Sequence, residues 1–145
     1  MFIGSRDFGF KFLKLFLKSS NNVNWFILCP KIDDERDSYL NDFKELSEKN
    51  NFFFDVISND KQVKSYIKKL KPEILIVCGY YKIISKEIIS LFKLGAWGVH
   101  NSLLPKYRGG ASASWMLMSD HRKSAITIFK MDKGIDSGDL ILKKE

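Results

Sequence analysis

Cysteine, histidine, proline and arginine are scarce in this sequence: its 145 residues include two cysteines, two histidines, three prolines and four arginines. Each scarcity excludes something. Cys29 and Cys78 sit in separate apolar runs with no His or Cys at metal-ligand spacing, so they read as buried free thiols and no zinc site is expected. No apolar run approaches the ~18 residues that span a bilayer, and residues 8–17 are broken by Lys11 and Lys14, unlike the core of a signal peptide. A reducing cytoplasm is the expected setting, with no membrane partner. The arginines are Arg6, Arg36, Arg108 and Arg122; the rest of the 24 basic residues are lysines scattered at solvent-type helix positions. The net charge of +7 therefore reads as solvated faces rather than a nucleic-acid surface.

What the sequence does have is apolar material in short runs. Its hydrophobic fraction of 45% and its length suit one domain spanning 1–145 with a real core. Phe2-Ile3 before Gly4 reads as a strand end, and Phe8, Phe12, Leu15 and Phe16 recur at helical spacing after Asp7. Strands are expected at 25–29, 52–57, 74–78, 95–100, 125–130 and 139–142, with helices at 33–50, 61–70, 85–92 and 111–119. The run Ile74-Leu75-Ile76-Val77-Cys78 is apolar throughout, as a central parallel strand buried on both faces must be. This alternation predicts an α/β fold, a doubly wound and mainly parallel Rossmann-like sheet with right-handed crossovers. Ligands in such sheets bind beyond the carboxyl ends of the strands, where the order reverses. No repeat, low-complexity tract or linker interrupts it. The short first strand and the stop directly behind the last strand suggest a fold truncated at both ends.

Two blocks carry chemistry. His100 stands where an apolar strand runs into the loop Asn101-Ser102-Leu103-Leu104-Pro105-Lys106-Tyr107-Arg108-Gly109, and Asp136 lies between Gly134 and Gly138 in a flexible turn. An imidazole beside a carboxylate can relay a proton to a reacting oxygen. On spacing alone the pair reads equally well as a structural His held by a turn Asp. Between the first strand and helix, Gly4-Ser5-Arg6-Asp7 offers free backbone N–H groups and a guanidinium to a substrate anion, or simply a turn with an Asp cap. Arg108 either lines an acceptor site or anchors its loop. Trp25 should be core, Trp97 and Trp115 should pack the His100 loop, and His121, between Asp120 and Arg122, should lie at the surface.

Taken together, the His100–Gly109 run, Ala125-Ile126-Thr127-Ile128, the block Asp132-Lys133-Gly134-Ile135-Asp136-Ser137-Gly138-Asp139, the opening Phe2–Phe8 segment and Gly79-Tyr80-Tyr81-Lys82-Ile83-Ile84-Ser85 resemble the folate-dependent formyltransferase family. That family includes glycinamide ribonucleotide, methionyl-tRNA and amino-sugar N-formyltransferases. The resemblance implies an enzyme that moves the formyl group of 10-formyltetrahydrofolate onto a primary amine. It assigns His100 to the oxyanion, Asp136 to orienting that His and moving the amine proton, and Thr127 to assisting by hydrogen bonding. It further implies that Tyr81, Lys82, Ile83 and Ile84 hold the pterin ring, with Asp132, Gly134 and Asp136 closing its other side. Ser5, Arg6 and Arg108 are the expected substrate contacts. The expected acceptor is a small-molecule amine, first a sugar nucleotide, with tRNA as the alternative and a homodimer as a possible assembly.

One position departs from the family. Its usual motif has Asn two residues before the His, and here that residue is Gly98. An oxyanion donor of this kind is worth about 2.7–4 kcal/mol, so the alternatives are a folate-binding domain with weak or no activity, or a formyltetrahydrofolate hydrolase. On this reading Gly98→Asn should raise turnover.

Overall fold

The computed structural model describes residues 1–19, 23–31 and 39–145. Among the described residues seven strands form one sheet in the order β3-β2-β1-β4-β5-β6-β7. In chain order the elements are β1 (Phe2–Gly4), α1 (Arg6–Leu17), β2 (Phe26–Pro30), α2 (Leu40–Lys49), β3 (Phe53–Ile57) and α3 (Asp60–Leu70), followed by β4 (Leu75–Cys78), α4 (Lys86–Ile89), β5 (Ala96–His100), α5 (Ser112–Met118), β6 (Ile126–Lys130) and β7 (Leu140–Lys144). Strands β1 to β5 pair in parallel, and β6 and β7 extend the sheet antiparallel. The doubly wound, mainly parallel architecture is the one the sequence predicts.

Side chains alternate across a strand, and here the alternation builds two cores. Ile3, Leu28, Leu75 and Val77 pack with Val63 and Ile67 of α3 and Ile88 of α4. Phe2, Ile27, Cys29, Ile76 and Cys78 face the other way, onto Leu13 of α1 and Phe43 of α2. Every residue of β4 is buried, which is why its sequence has no polar face. Cys29 and Cys78 are free and buried, and burial pushes both thiols far above their ordinary range. Trp25 belongs to the second core.

Local signals set most boundaries. Helix α3 begins where the Asn59 side chain accepts a hydrogen bond from the Gln62 amide at 3.1 Å. Within α1 the inward positions are Gly9 and Leu13, and Leu15, expected on the apolar stripe, is 65% exposed. Phe8, Phe12 and Phe16 do pack against the core. The helix expected over 33–50 is described from Leu40 onward, and its first part lies outside the described residues. Helix α4 ends at Ile89 rather than residue 92, because the chain tightens into turns before β5. Trp115, expected to pack the His100 loop, is 56% exposed on α5. Among the described residues no helix is long and apolar enough to cross a membrane.

Candidate active site

The site is built on the carboxyl-terminal halves of β4 and β5. Alternation and register place Val77, Gly98 and His100 on one face of the sheet, with Phe129 opposite Gly98 and Thr127 opposite His100. This is the α3/α4 side. Above it lies a cavity of about 470 Å³, lined by the loop after β4 (Gly79 to Lys86), by Gly98–His100, and by the turn after β6 (Met131 to Asp136). Small-molecule sites occupy roughly 300–1,000 Å³, with mostly apolar walls and a few convergent polar groups. Val77, Ile84, Phe129 and Met131 form the walls, and His100, Asp132 and Asp136 bring the polar groups. Among the described residues no group of His, Cys, Asp and Glu is arranged to hold a metal ion.

The first strand and helix reach the site through close backbone packing. Gly79 follows β4 with φ +68, and a Cβ there would stand 2.3 Å from the Ser5 carbonyl oxygen. Only glycine allows both the left-handed turn and that approach. Ser5 donates its hydroxyl to the Gly79 carbonyl at 2.7 Å and is buried, so it closes the β1–α1 turn onto β4. It does not line the cavity. Arg6 lies over the Tyr81 ring, 5.4 Å from its centroid, and Lys82 over the same ring at 5.7 Å. The Tyr81 hydroxyl donates to the Lys31 carbonyl at 3.2 Å, so the ring stands as a braced edge of the cavity.

Beyond β6 the chain makes a turn held by one carboxylate. Asp132 Oδ1 accepts from the Gly134 amide at 2.8 Å and from the Ser137 hydroxyl at 2.7 Å. The Ser137 hydroxyl and the Gly134 amide, with nearby Arg108 adding to them, hold the Asp132 carboxyl below the usual carboxylate range. The turn delivers Asp136, whose φ of 47 is left-handed, inward toward β5. Its Oδ2 accepts from the Gly109 amide at 2.9 Å and stands 3.6 Å from His100 Nδ1. Both side chains are largely buried.

The far side of the imidazole is equally defined. His100 Nε2 lies 2.9 Å from the Tyr107 carbonyl oxygen. A carbonyl can only accept, so Nε2 carries the proton, and in the neutral ring Nδ1 presents its lone pair toward Asp136. At 3.6 Å the two groups lie beyond hydrogen-bond distance but within reach of an ion pair once the ring is protonated. The arrangement can take a proton from a nucleophile at Nδ1, stabilise the imidazolium with Asp136, and return the proton to a leaving group.

Of the residues singled out from sequence, His100, Asp136, Asp132, Gly134, Tyr81, Lys82, Ile83 and Ile84 line one cavity. Ser5, Arg6, Arg108 and Thr127 do not. Thr127 is fully buried beneath it, donating to the Ser102 carbonyl at 2.7 Å. His121 is half-buried, edge-on to the Tyr107 ring at 5.4 Å, rather than free at the surface. Sequence reasoning missed Ser102 and Phe129. The signal for Ser102 was its place two residues after His100, buried at the start of the loop. Phe129 carried none, because its role depends on the antiparallel register that sets it across from Gly98.

Comparison with known proteins gives a consistent answer. The sequence pattern of the formyl transferase family, described as "Formyl transferase", matches residues 32–145. A methionyl-tRNA formyltransferase of Clostridioides difficile (strain 630) is 34% identical over 149 residues, covering 100% of this chain and 48% of that protein. The methionyl-tRNA formyltransferase of Caldicellulosiruptor saccharolyticus is 35% identical over 150 residues, covering 99% of this chain and 48% of its own length. The chain thus spans about half the length of these curated relatives. Among solved structures, glycinamide ribonucleotide transformylase 1 from Symbiobacterium toebii superposes with a TM-score of 0.81 at 14% identity, covering 99% of this chain and 70% of that one. A sugar 3N-formyl transferase, solved with dTDP and 5-N-formyl-THF, gives 0.64 at 21% identity, covering 99% and 49%. These two likenesses concern the fold.

Proposed function

The chain belongs to the formyl transferase family, and from that premise we propose that it transfers the formyl group of 10-formyltetrahydrofolate to a primary amine. The observation that carries this reading is the His100–Asp136 pair, 3.6 Å apart at the wall of the 470 Å³ cavity. The cavity suits a pterin. A flat heteroaromatic ring needs apolar faces and an edge of hydrogen-bonding groups, which Val77, Ile84 and Met131 and the backbone of residues 81–84 provide. Asp132 and Asp136 border it on the opposite side.

The amine nitrogen attacks the formyl carbon, giving a tetrahedral intermediate with a negative oxygen. His100 Nδ1 takes the amine proton, and Asp136 stabilises the imidazolium that results. As the carbon–nitrogen bond to the folate breaks, the same proton passes to the departing nitrogen and tetrahydrofolate leaves. No other atom is gained or lost. Thr127 and Ser102 act from beneath, by holding the loop that carries His100.

For the acceptor, the relatives that cover the whole chain at 34–35% identity are methionyl-tRNA formyltransferases, which favours the α-amine of a methionyl-tRNA. The sugar nucleotide expected first from sequence draws support from one structural neighbour at 21% identity. The test is to incubate the chain with 10-formyltetrahydrofolate and, separately, with charged methionyl-tRNA or pooled amino-sugar nucleotides, following tetrahydrofolate release. Release with methionyl-tRNA and its loss by a factor of about 100 or more in His100→Ala is the expected result. Transfer that survives His100→Ala, or no folate binding, overturns the reading.

A further inference from the structure

Residue 102 sits under the catalytic histidine and is held from two directions. Its carbonyl accepts the Thr127 hydroxyl from β6 at 2.7 Å, and both residues are fully buried. Its own hydroxyl lies 2.9 Å from the Lys106 carbonyl and 3.2 Å from the Tyr107 carbonyl, so its single proton is shared between two acceptors. The Tyr107 carbonyl therefore receives two donors, Ser102 Oγ and His100 Nε2. Tyr107 has a left-handed φ of 58, a conformation that a bulky side chain adopts at a cost and that its surroundings must hold in place.

Building on the proposed formyl transfer, we infer that Ser102 is a positioning residue: by gripping the Tyr107 carbonyl it fixes His100 as the Nε2–H tautomer, so that Nδ1 faces Asp136 as the proton-handling atom. The alternative tautomer would set a nitrogen lone pair against a carbonyl oxygen at 2.9 Å. That repulsion is available only while the carbonyl stays aimed at the ring. Loosening residue 107 removes it, and the Asp136 carboxylate then draws the ring proton to Nδ1, which can no longer accept the proton of the attacking amine.

The chain has two histidines, so the tautomer can be read directly. In the full chain labelled with ¹⁵N-histidine, long-range ¹H–¹⁵N correlation at a pH where the rings are neutral should show His100 with its proton on Nε2. Ser102→Ala should redistribute the proton toward Nδ1, while His121, on the far side of Tyr107, keeps its pattern. A wild-type His100 protonated at Nδ1, or a Ser102→Ala spectrum identical to wild type, overturns the inference. Where Ser102→Ala fails to fold, Ser102→Cys, close in size with a weaker donor, is held to the same two outcomes. In the transfer assay Ser102→Ala should lower kcat by about tenfold with KM for the folate retained. An inactive wild type overturns the proposed function, and the spectrum alone judges the tautomer.

Discussion

Gly98 and Phe129 are cross-strand partners, and the phenylalanine ring fills the space that a side chain at residue 98 would need. A Cβ on Gly98 would stand 2.4 Å from Phe129 Cζ, and the ring is almost fully buried. The sequence alone suggested that Gly98→Asn would add a missing oxyanion donor and raise turnover. In the structure the substitution meets a packed aromatic ring, which has to shift before an amide at residue 98 can reach the site. Overpacking of this kind costs about 1–3 kcal/mol. Gly98→Asn should lower the urea midpoint by a corresponding amount and leave turnover no higher, and in a double-mutant cycle its cost should be smaller in the Phe129→Ala background than in the wild type. A stable, faster Gly98→Asn enzyme would contradict this packing.

Asp136→Asn tests the other side of the imidazole. The amide keeps an oxygen for the Gly109 N–H but loses the charge that stabilises an imidazolium. Formyl transfer should fall about 100-fold or more, with unfolding midpoints close to wild type. A variant that loses stability in proportion to activity would instead mark Asp136 as a structural tie between the turn and the His100 loop.

Thr127→Val removes one buried hydroxyl at nearly constant volume. It leaves the Ser102 carbonyl without its donor, and an unsatisfied buried acceptor costs about 1–3 kcal/mol. Chemical denaturation should show that loss. If Thr127 instead met the substrate directly, the variant would keep its stability and raise KM.

Acid should open the turn late. The Asp132 carboxyl is held below the usual carboxylate range by the Ser137 hydroxyl and the Gly134 amide, so its protons bind more weakly in the folded chain than in the unfolded one. Its contribution is therefore present above the ordinary Asp range and is lost as pH falls through the depressed folded value. Amide exchange at Gly134 should stay protected as pH falls through the ordinary Asp range and rise below it. Asp132→Asn, which cannot titrate, should abolish that step.

Gly79→Ala introduces a Cβ 2.3 Å from the Ser5 carbonyl at a φ of +68. Strain of this kind costs about 1–3 kcal/mol. The unfolding midpoint should drop, and folate affinity should weaken with it, since residues 81–84 follow the glycine directly into the cavity wall. Unchanged affinity would show that the loop finds its place independently of the β1–α1 turn.

Much of this was legible in the sequence because local chemistry wrote it. The apolar run of β4 and the helix expected over 61–70 each rest on signals that act over a few residues, and each appears in the structure, α3 spanning Asp60–Leu70. The His100 and Asp136 pair was legible as a pair of candidates, and the fold brings them together. What escaped depends on contacts between distant segments. Ser5 carries the residue type of an anion site, yet the approach of Gly79 turns it inward. Thr127 faces the same side as His100, but its hydroxyl finds the Ser102 carbonyl first. Leu15 and Trp115 read as core by residue type, and no neighbouring element in the described residues covers them. The reason residue 98 is glycine lies on another strand.

Strand β7 carries a last consequence. All five of its residues are exposed, with Leu140, Ile141 and Leu142 in succession, so apolar side chains project from both faces of an edge that, among the described residues, pairs only with β6. Such an edge is a ready template for another strand, and Lys143 and Lys144 at its end are the charges that discourage pairing. Handled at high concentration and high salt, where those charges are screened, the chain would self-associate before it unfolds, and low ionic strength is the condition in which it stays dispersed.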